Sequence, residues 1–543
     1  MPGLFVGTRS TLLNSAVPTG ALRMLYGEAA GLAIDFTTSH GFGQVAVKGH
    51  TTNYDNVPVD SFLTNSGTSP KLVRNATGTY VWSAHNLFLN SAAPATQNVT
   101  LIVGATYTVT VTGAGGGSIT GSAGASGVAT TGTPATFTAT TTTGTFTYAA
   151  TLTTIQLNRG SVATTYMATV GSAKFAVPMD YDSGWAALVE PAATNLCLQS
   201  QDFTTTWTNT NTDEPTTNNT APDGLATADE IAATLAANQA FAIYQGFTGL
   251  TAGNTATCSV FLKAGTNATL AQLAWDANGA GADGCFCNFN LSTGAKGTVT
   301  ALAAGTATSS VITSVGNGWY RCSITGKIAV GTVGRFTISI VDLITEAVFG
   351  AANLADNDSI IAWQGQVEAT ASSASTIATS PIQTFAAAVT RAADNVNVAT
   401  TAFPLGSTYS MMADFSSASV ADGRYIMTLS DGTVGDFSGL RSNSSQGQLG
   451  VVDGSSTQAS ISAGTLTNNV RCKIAGRVTA NNFAVSTDAS AVATDVSGTM
   501  PTVNILNLGQ ADTSGQLGVK KLHRLVIVPR GWTDAELQTR TAA

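Results

Sequence analysis

Asn195-Leu196-Cys197-Leu198-Gln199-Ser200 has an earlier counterpart in Asn86-Leu87-Phe88-Leu89-Asn90-Ser91. Both read Asn-Leu-x-Leu-x-Ser, and each opens a long β segment rich in Thr, Ala and Gly. An opening that recurs with the same sequel marks a module used twice, so the chain reads as a series of sandwiches. The closing segments recur as well. Gln364-Gly365-Gln366-Val367-Glu368 followed by Ser375-Thr376-Ile377-Ala378-Thr379-Ser380-Pro381 ends the later module, and Gln156-Leu157 followed by Ala163-Thr164-Thr165-Tyr166 ends the earlier one. The alternating leucines make the motif a leading strand that marks a boundary.

Working outward, the module at 195–385 carries alternating strands. Cys258, Val260 and Leu262 share one face of Thr257-Cys258-Ser259-Val260-Phe261-Leu262-Lys263, and Cys285-Phe286-Cys287-Asn288-Phe289-Asn290 repeats the pattern. Gly318-Trp319-Tyr320-Arg321-Cys322-Ser323-Ile324-Thr325 puts Tyr320, Cys322 and Ile324 on one face and Trp319 and Arg321 on the other. Short alternating strands separated by turns predict an antiparallel jelly roll. The module at 86–168 is smaller: in Thr106-Tyr107-Thr108-Val109-Thr110-Val111-Thr112 the apolar residues share a face, as expected of a half-buried strand. Its Gly113-Ala114-Gly115-Gly116-Gly117 lacks the Lys-Ser/Thr pair and the helix of a phosphate loop, and reads as a turn.

The flanking segments are expected to be one irregular attachment segment at 1–85, a connector at 169–194, a linker at 386–400 and a third sandwich at 401–543. The attachment segment has only short apolar runs, at Ala21-Leu22-Arg23-Met24-Leu25-Tyr26 and Gly41-Phe42-Gly43-Gln44-Val45-Ala46-Val47, and is expected to order against a partner. Near the end, Thr533-Asp534-Ala535-Glu536 is a capping box that predicts a helix.

Composition agrees with an all-β chain. Of 543 residues only 10% are charged, against about 25% in ordinary soluble proteins, so Thr, Ser, Asn and Gly cover the surface. The 56 Gly show no triplet period, which excludes collagen. A net charge of −8 with 23 scattered basic residues argues against nucleic acid as partner. No run approaches the ~18 apolar residues of a membrane span, and Met1-Pro2-Gly3-Leu4-Phe5 lacks the basic region of a secretion signal. Six dispersed cysteines are expected to be buried hydrophobes, with pairing after release into an oxidising medium as the other reading.

Glu190-Pro191-Ala192-Ala193-Thr194-Asn195-Leu196, Ser200-Gln201-Asp202-Phe203, Trp207, Asn317-Gly318-Trp319-Tyr320-Arg321 and Gln364-Gly365-Gln366-Val367-Glu368 resemble the carbohydrate-binding-module-like sandwich of tailed-phage and prophage virion proteins. The stretch from Leu522 to Val528 with Trp532-Thr533-Asp534-Ala535-Glu536-Leu537 is similar to the end of a concanavalin/laminin-G-like sandwich. The resemblance implies a non-enzymatic fibre, collar or capsid-decorating protein of the virion, held to other virion proteins through its N-terminal segment, with a homotrimeric state and host surface glycans as ligands. It implies assembly in the host cytoplasm and release by lysis. The alternative it leaves is a polysaccharide-depolymerising tailspike.

Sugars stack their C–H faces on aromatic rings and need directional hydroxyl partners. On that chemistry Trp319, Arg321, Gln364, Gln366 and Trp275 are the expected glycan-binding residues, with Trp319 as the platform; the competing reading puts Trp319 at a sandwich edge or an interface. Trp363, sharing a face with aliphatics, is expected in the core. Asp276, Asp283, Asp356 and Asp358 sit near turns, where Asp is common for backbone reasons, so no catalytic pair is expected. Asp356-Asn357-Asp358 offers oxygen ligands for calcium but lacks an extended ligand loop, and no metal or cofactor is assigned. His40, His50, His85 and His523 form no triad pattern.

Overall fold

The structure is a computed structural model describing residues 31–37, 44–47, 55–120, 129–149, 151–182, 184–213, 215–234, 239–277, 281, 283–370, 377–421, 423–510 and 518–542. The apolar run at 21–26, the start of the strand expected at 41–47, part of the glycine-rich region at 121–124, and His40 and His50 lie outside them. The described chain is nearly all β, in antiparallel sandwiches, as the alternating patterns require.

Three sandwiches have separate cores. The small one packs a four-stranded on a three-stranded sheet around Phe88, Tyr107, Val109, Val111 and Phe146. The jelly roll packs two six-stranded sheets around Cys258, Val260, Leu262, Cys285, Cys287, Cys322 and Ile324, the inward residues read from the alternation. In the third, sheets of ten and nine described strands enclose a core built from three distant stretches of chain.

That third sandwich corrects the linear plan. Leu32–Asp35 pairs with Lys520–Val528, with Leu32 opposite Ile527. Thr64–Asn65 lies between Val396–Ala399 and Lys174–Phe175. Trp185–Val189 pairs with Lys520–Val528. The expected attachment segment, connector and linker therefore supply strands to one sandwich, and the small sandwich and jelly roll are insertions in it. The physical reason is core completion: Leu32, Ile34, Val59 and Phe62 cannot enclose a core alone but are buried against Met411, Leu429 and Leu525.

Each insertion is tied at a neck where its incoming and outgoing strands pair. His85–Asn86 pairs with Lys174–Phe175, and Ala193–Asn195 pairs with Val389–Arg391. The repeated motif forms these necks. Asn86 Nδ2 donates to the Ile155 and Met167 carbonyls, and its Oδ1 accepts from Phe88 and Leu157 N–H. Asn195 Nδ2 donates to the Gly365 and Ile382 carbonyls, and its Oδ1 accepts from Cys197 and Val367 N–H. Ser91 clasps Thr169 as Ser200 clasps Thr384. Gln156 and Gln366 accept from Met167 and Ile382 N–H in the two closing segments. The third sandwich has a relative of this lock: Asn65 donates to the Ala176 carbonyl and accepts from Gly67 N–H.

The C-terminal helix is Asp534–Thr541, and both halves of the Thr533/Glu536 capping box form. Trp532 and Leu537 cover the outer face of the ten-stranded sheet.

Candidate functional site at the junction of the three sandwiches

The expected sugar platform is not exposed. Trp319 is 2% accessible, Trp275 2%, Gln364 1% and Gln366 0%; of the five residues only Arg321 is half-buried. Alternation separated the faces of the strand Trp319–Lys327 correctly, since Cys322 and Ile324 enter the jelly-roll core while Trp319 points away from it. The outer face is covered, however, by the hairpin Leu72–Arg74 and Tyr80–Trp82, which packs Leu72 and Tyr80 onto Phe261, Trp319 and Trp363. Tyr80 meets Phe261 edge-on at 5.2 Å. Arg321 donates to Ser259 at 3.0 Å beneath this contact. Trp363 is buried, but in this interface cluster and not in the sandwich core expected for it.

The closing strand Ser359–Thr370 also departs from simple alternation. Its pairing with Thr255–Ala264 slips between Ser259 and Phe261, and Gln364 takes a positive φ of 57°. This bulge puts Trp363 on the outer face and Val367 on the core face, although both are odd-numbered. Gln366 is spent on the outgoing segment, and Glu368 accepts from the Thr379 N–H and hydroxyl. Trp275 is ordinary core against Phe247.

The turn carboxylates have backbone roles. Asp283 accepts from Ala329 and Val330 N–H, Asp358 accepts from Ala355 N–H, and Asp276 is paired with Arg335. Among the described residues, no three His, Cys, Asp or Glu side chains are grouped to hold a metal ion. No helix among them is long and apolar enough to cross a membrane.

A charged hub fixes the hairpin to the neck between the split sandwich and the jelly roll. Lys71, from the hairpin, is fully buried and pairs with Glu190 at 3.0 Å and with Asp394. Arg391 pairs with the same Glu190 oxygen at 2.5 Å, and Ser380 donates to Glu190 through its N–H and hydroxyl. Burial alone would raise the Glu190 carboxyl, but Arg391 and Lys71 outweigh it and hold it well below the usual carboxylate range. Glu190 opens the stretch that carries the resemblance, whereas Lys71 has no sequence signal, because its partners lie more than a hundred residues away.

A cavity of about 420 Å³ opens where all three sandwiches meet. Trp185 and Asp60 come from the split sandwich, Trp82 from the hairpin, Val162 from the small sandwich, and Asp223 and Leu225 from the jelly roll. Trp82 and Trp185 are half-buried, so each presents part of its ring, while Val162 is 73% and Leu225 44% exposed. The local backbone allows this. Gly160 has φ +102°, and a Cβ there would stand 2.5 Å from Trp82, so glycine lets the chain pass over that ring. Burial pushes the Asp60 carboxyl up to about 6 against the N–H donated by Val177 at 2.7 Å. Burial also raises Asp223. Rings beside hydrogen-bonding carboxyls suit a ligand with C–H faces and hydroxyls. Sequence reasoning missed this site because its walls come from five stretches with no shared pattern.

No protein-family model matches the chain, and no curated protein does. Among solved structures, the chain is similar to the carbohydrate-binding module of a Ruminococcus gnavus sialidase bound to sialyllactose, at 12% identity and a TM-score of 0.23, over 26% of this chain and 84% of that one. It is similar to mouse laminin α1 domains LG4-5 at 12% identity and a TM-score of 0.18, over 59% and 93%. It is similar to the tandem CBM22 domains of Paenibacillus barcinonensis Xyn10C at 10% identity and a TM-score of 0.21, over 62% and 98%. These neighbours are carbohydrate-binding-module and laminin-G structures.

Proposed function

We propose that the chain is a non-enzymatic structural protein of a tailed-phage virion, a fibre, collar or capsid decoration, that binds host surface glycans in the cleft between its three sandwiches. The virion assignment and the homotrimeric state rest on the sequence resemblance. The observation that carries glycan binding is the pairing of half-exposed Trp82 and Trp185 with Asp60 and Asp223 around one cavity. Fusion of the split sandwich to the jelly roll through the Lys71–Glu190–Arg391 hub supports a rigid projecting part, since separating them would leave buried charges unpaired.

The depolymerase reading is the weaker one. Glycoside hydrolysis needs two carboxyls whose environments drive their pKa values apart. Asp60 and Asp223 are both shifted in the same upward direction by burial, so their environments do not drive them apart.

Mass spectrometry of purified particles tests the first part: absence of the chain overturns it. A glycan array on the full chain tests the second. Trp185→Ala and Trp82→Ala are expected to abolish binding, whereas Trp319→Ala would act only through folding. Release of reducing ends from a bound polysaccharide would establish the depolymerase instead.

A further inference from the structure

A second cleft, of about 570 Å³, shares Trp82 with the first and has the opposite electrostatic character. Among the described residues, the first is lined by the carboxyls Asp60 and Asp223 and by no basic residue. The second, among the same residues, is lined by Arg159 and Arg391 and by no acidic residue, in a chain whose net charge is −8.

Arg391 is neutralised by Glu190, but Arg159 is not matched in this way. It is 7% exposed, and among the described residues no carboxylate pairs with it. Its guanidinium lies 4.4 Å over the Trp82 ring, and Nη2 reaches only the neutral Gln383, at 3.2 Å from Oε1 and 3.4 Å from the carbonyl. Nε is buried without a partner. A guanidinium withdrawn from water without a counter-charge is an expensive group to keep, and a planar fork of donors fits an oxyanion. Burial accordingly lowers the Arg159 pKa to about 10.

Groups suited to sugar hydroxyls stand on the same wall. Tyr107 receives the Ile102 N–H on its hydroxyl oxygen and keeps its own proton to donate, and Asn98 is exposed with Oδ1 engaged by Thr145. We propose that this second cleft binds an acidic saccharide, with the sugar carboxylate seated on Arg159 and the ring carried toward Tyr107 and Asn98. The inference rests on the glycan-binding reading above and adds the chemical class of a ligand.

Titration calorimetry of the full chain tests it with three probes: a galacturonate oligosaccharide, a neutral galactose oligosaccharide of equal length, and acetate. The acidic oligosaccharide is expected to bind about tenfold or more tightly than the neutral one, and Arg159→Gln to remove that preference, bringing the two probes to equal affinity. Asn98→Asp tests the same point at an exposed position, where folding is not at stake. The added charge is expected to weaken the acidic probe about fivefold, and to weaken it more than the neutral one. Equal affinities for the acidic and neutral probes overturn the inference and leave the glycan reading standing. Binding of neither overturns both. Acetate binding as tight as the acidic oligosaccharide overturns the saccharide assignment, and an Asn98→Asp variant that binds the acidic probe unchanged removes the cleft as its site.

Discussion

Asn86 and Asn195, 109 positions apart, make the same four side-chain hydrogen bonds at the necks of two different insertions. Both are fully buried, so replacing either carboxamide strands two N–H groups and two carbonyls away from water. Asn86→Ala and Asn195→Ala are each expected to cost about 3 kcal/mol or more, read as a lowered denaturant midpoint of the full chain. A loss below about 1 kcal/mol would show that the motif does not hold the neck.

Lys71 joins Glu190 and Asp394 in a place no water reaches. Lys71→Met leaves two carboxylates to Arg391 alone and is expected to destabilise the chain by about 3–5 kcal/mol. Adding Asp394→Asn removes the excess negative charge while keeping an acceptor for the Glu190 N–H, and is expected to recover part of that loss in the same melt. No recovery would mean that packing around the lysine stem, and not charge, is the main loss.

His85 bonds the Ser83 carbonyl through Nδ1 and accepts the Arg159 N–H on Nε2, an arrangement of the neutral ring. Burial lowers its pKa from 6.5 to about 4. Between those values the unfolded chain takes up a proton that the folded chain refuses, so stability is lost as pH falls through this window and is fully present above it. The loss is expected to total about 3 kcal/mol for this residue. His523, lowered to about 4 chiefly by burial, acts in the same direction. Asp60, raised to about 6, opposes them over its smaller range. Stability measured from pH 7 to 4 is expected to fall, and His85→Gln to flatten the slope; an unchanged slope would assign the loss to other groups.

All six cysteines are buried and unpaired, and burial pushes the Cys285 thiol up to about 12. A thiol reagent at neutral pH is expected to label none in the folded chain and all six after denaturation. Reducing and non-reducing gels are expected to be identical. Labelling of Cys197 or Cys258 without unfolding would show that the jelly-roll core opens.

The strands were legible because burial follows side-chain alternation, as at Tyr107, Val109 and Val111. The split sandwich was not, since the pairing of Leu32 with Ile527 depends on register across nearly the whole chain and leaves no local pattern. The face bearing Trp319 was identified, but not its cover. The clue was the apolar content of that face, where Phe261 and Trp319 both lie opposite the core by alternation; a sheet apolar on both faces is covered on both. The slip at Gln364 was illegible because one extra residue shifts the parity of every residue beyond it. The junction cleft is a product of the insertions, so neither its rings nor Arg159 had sequence neighbours to announce them.

The paired necks also determine how the protein carries mechanical load. Tension applied between Leu32 and Val528 acts on adjacent strands of the split sandwich and bypasses both insertions, whose incoming and outgoing strands are already zipped together at His85–Asn86 and Ala193–Asn195. The small sandwich and the jelly roll ride as passengers, shielded from any pull on the backbone that bears them. A force on a ligand held in the junction cleft would instead spread over all three bodies that line it.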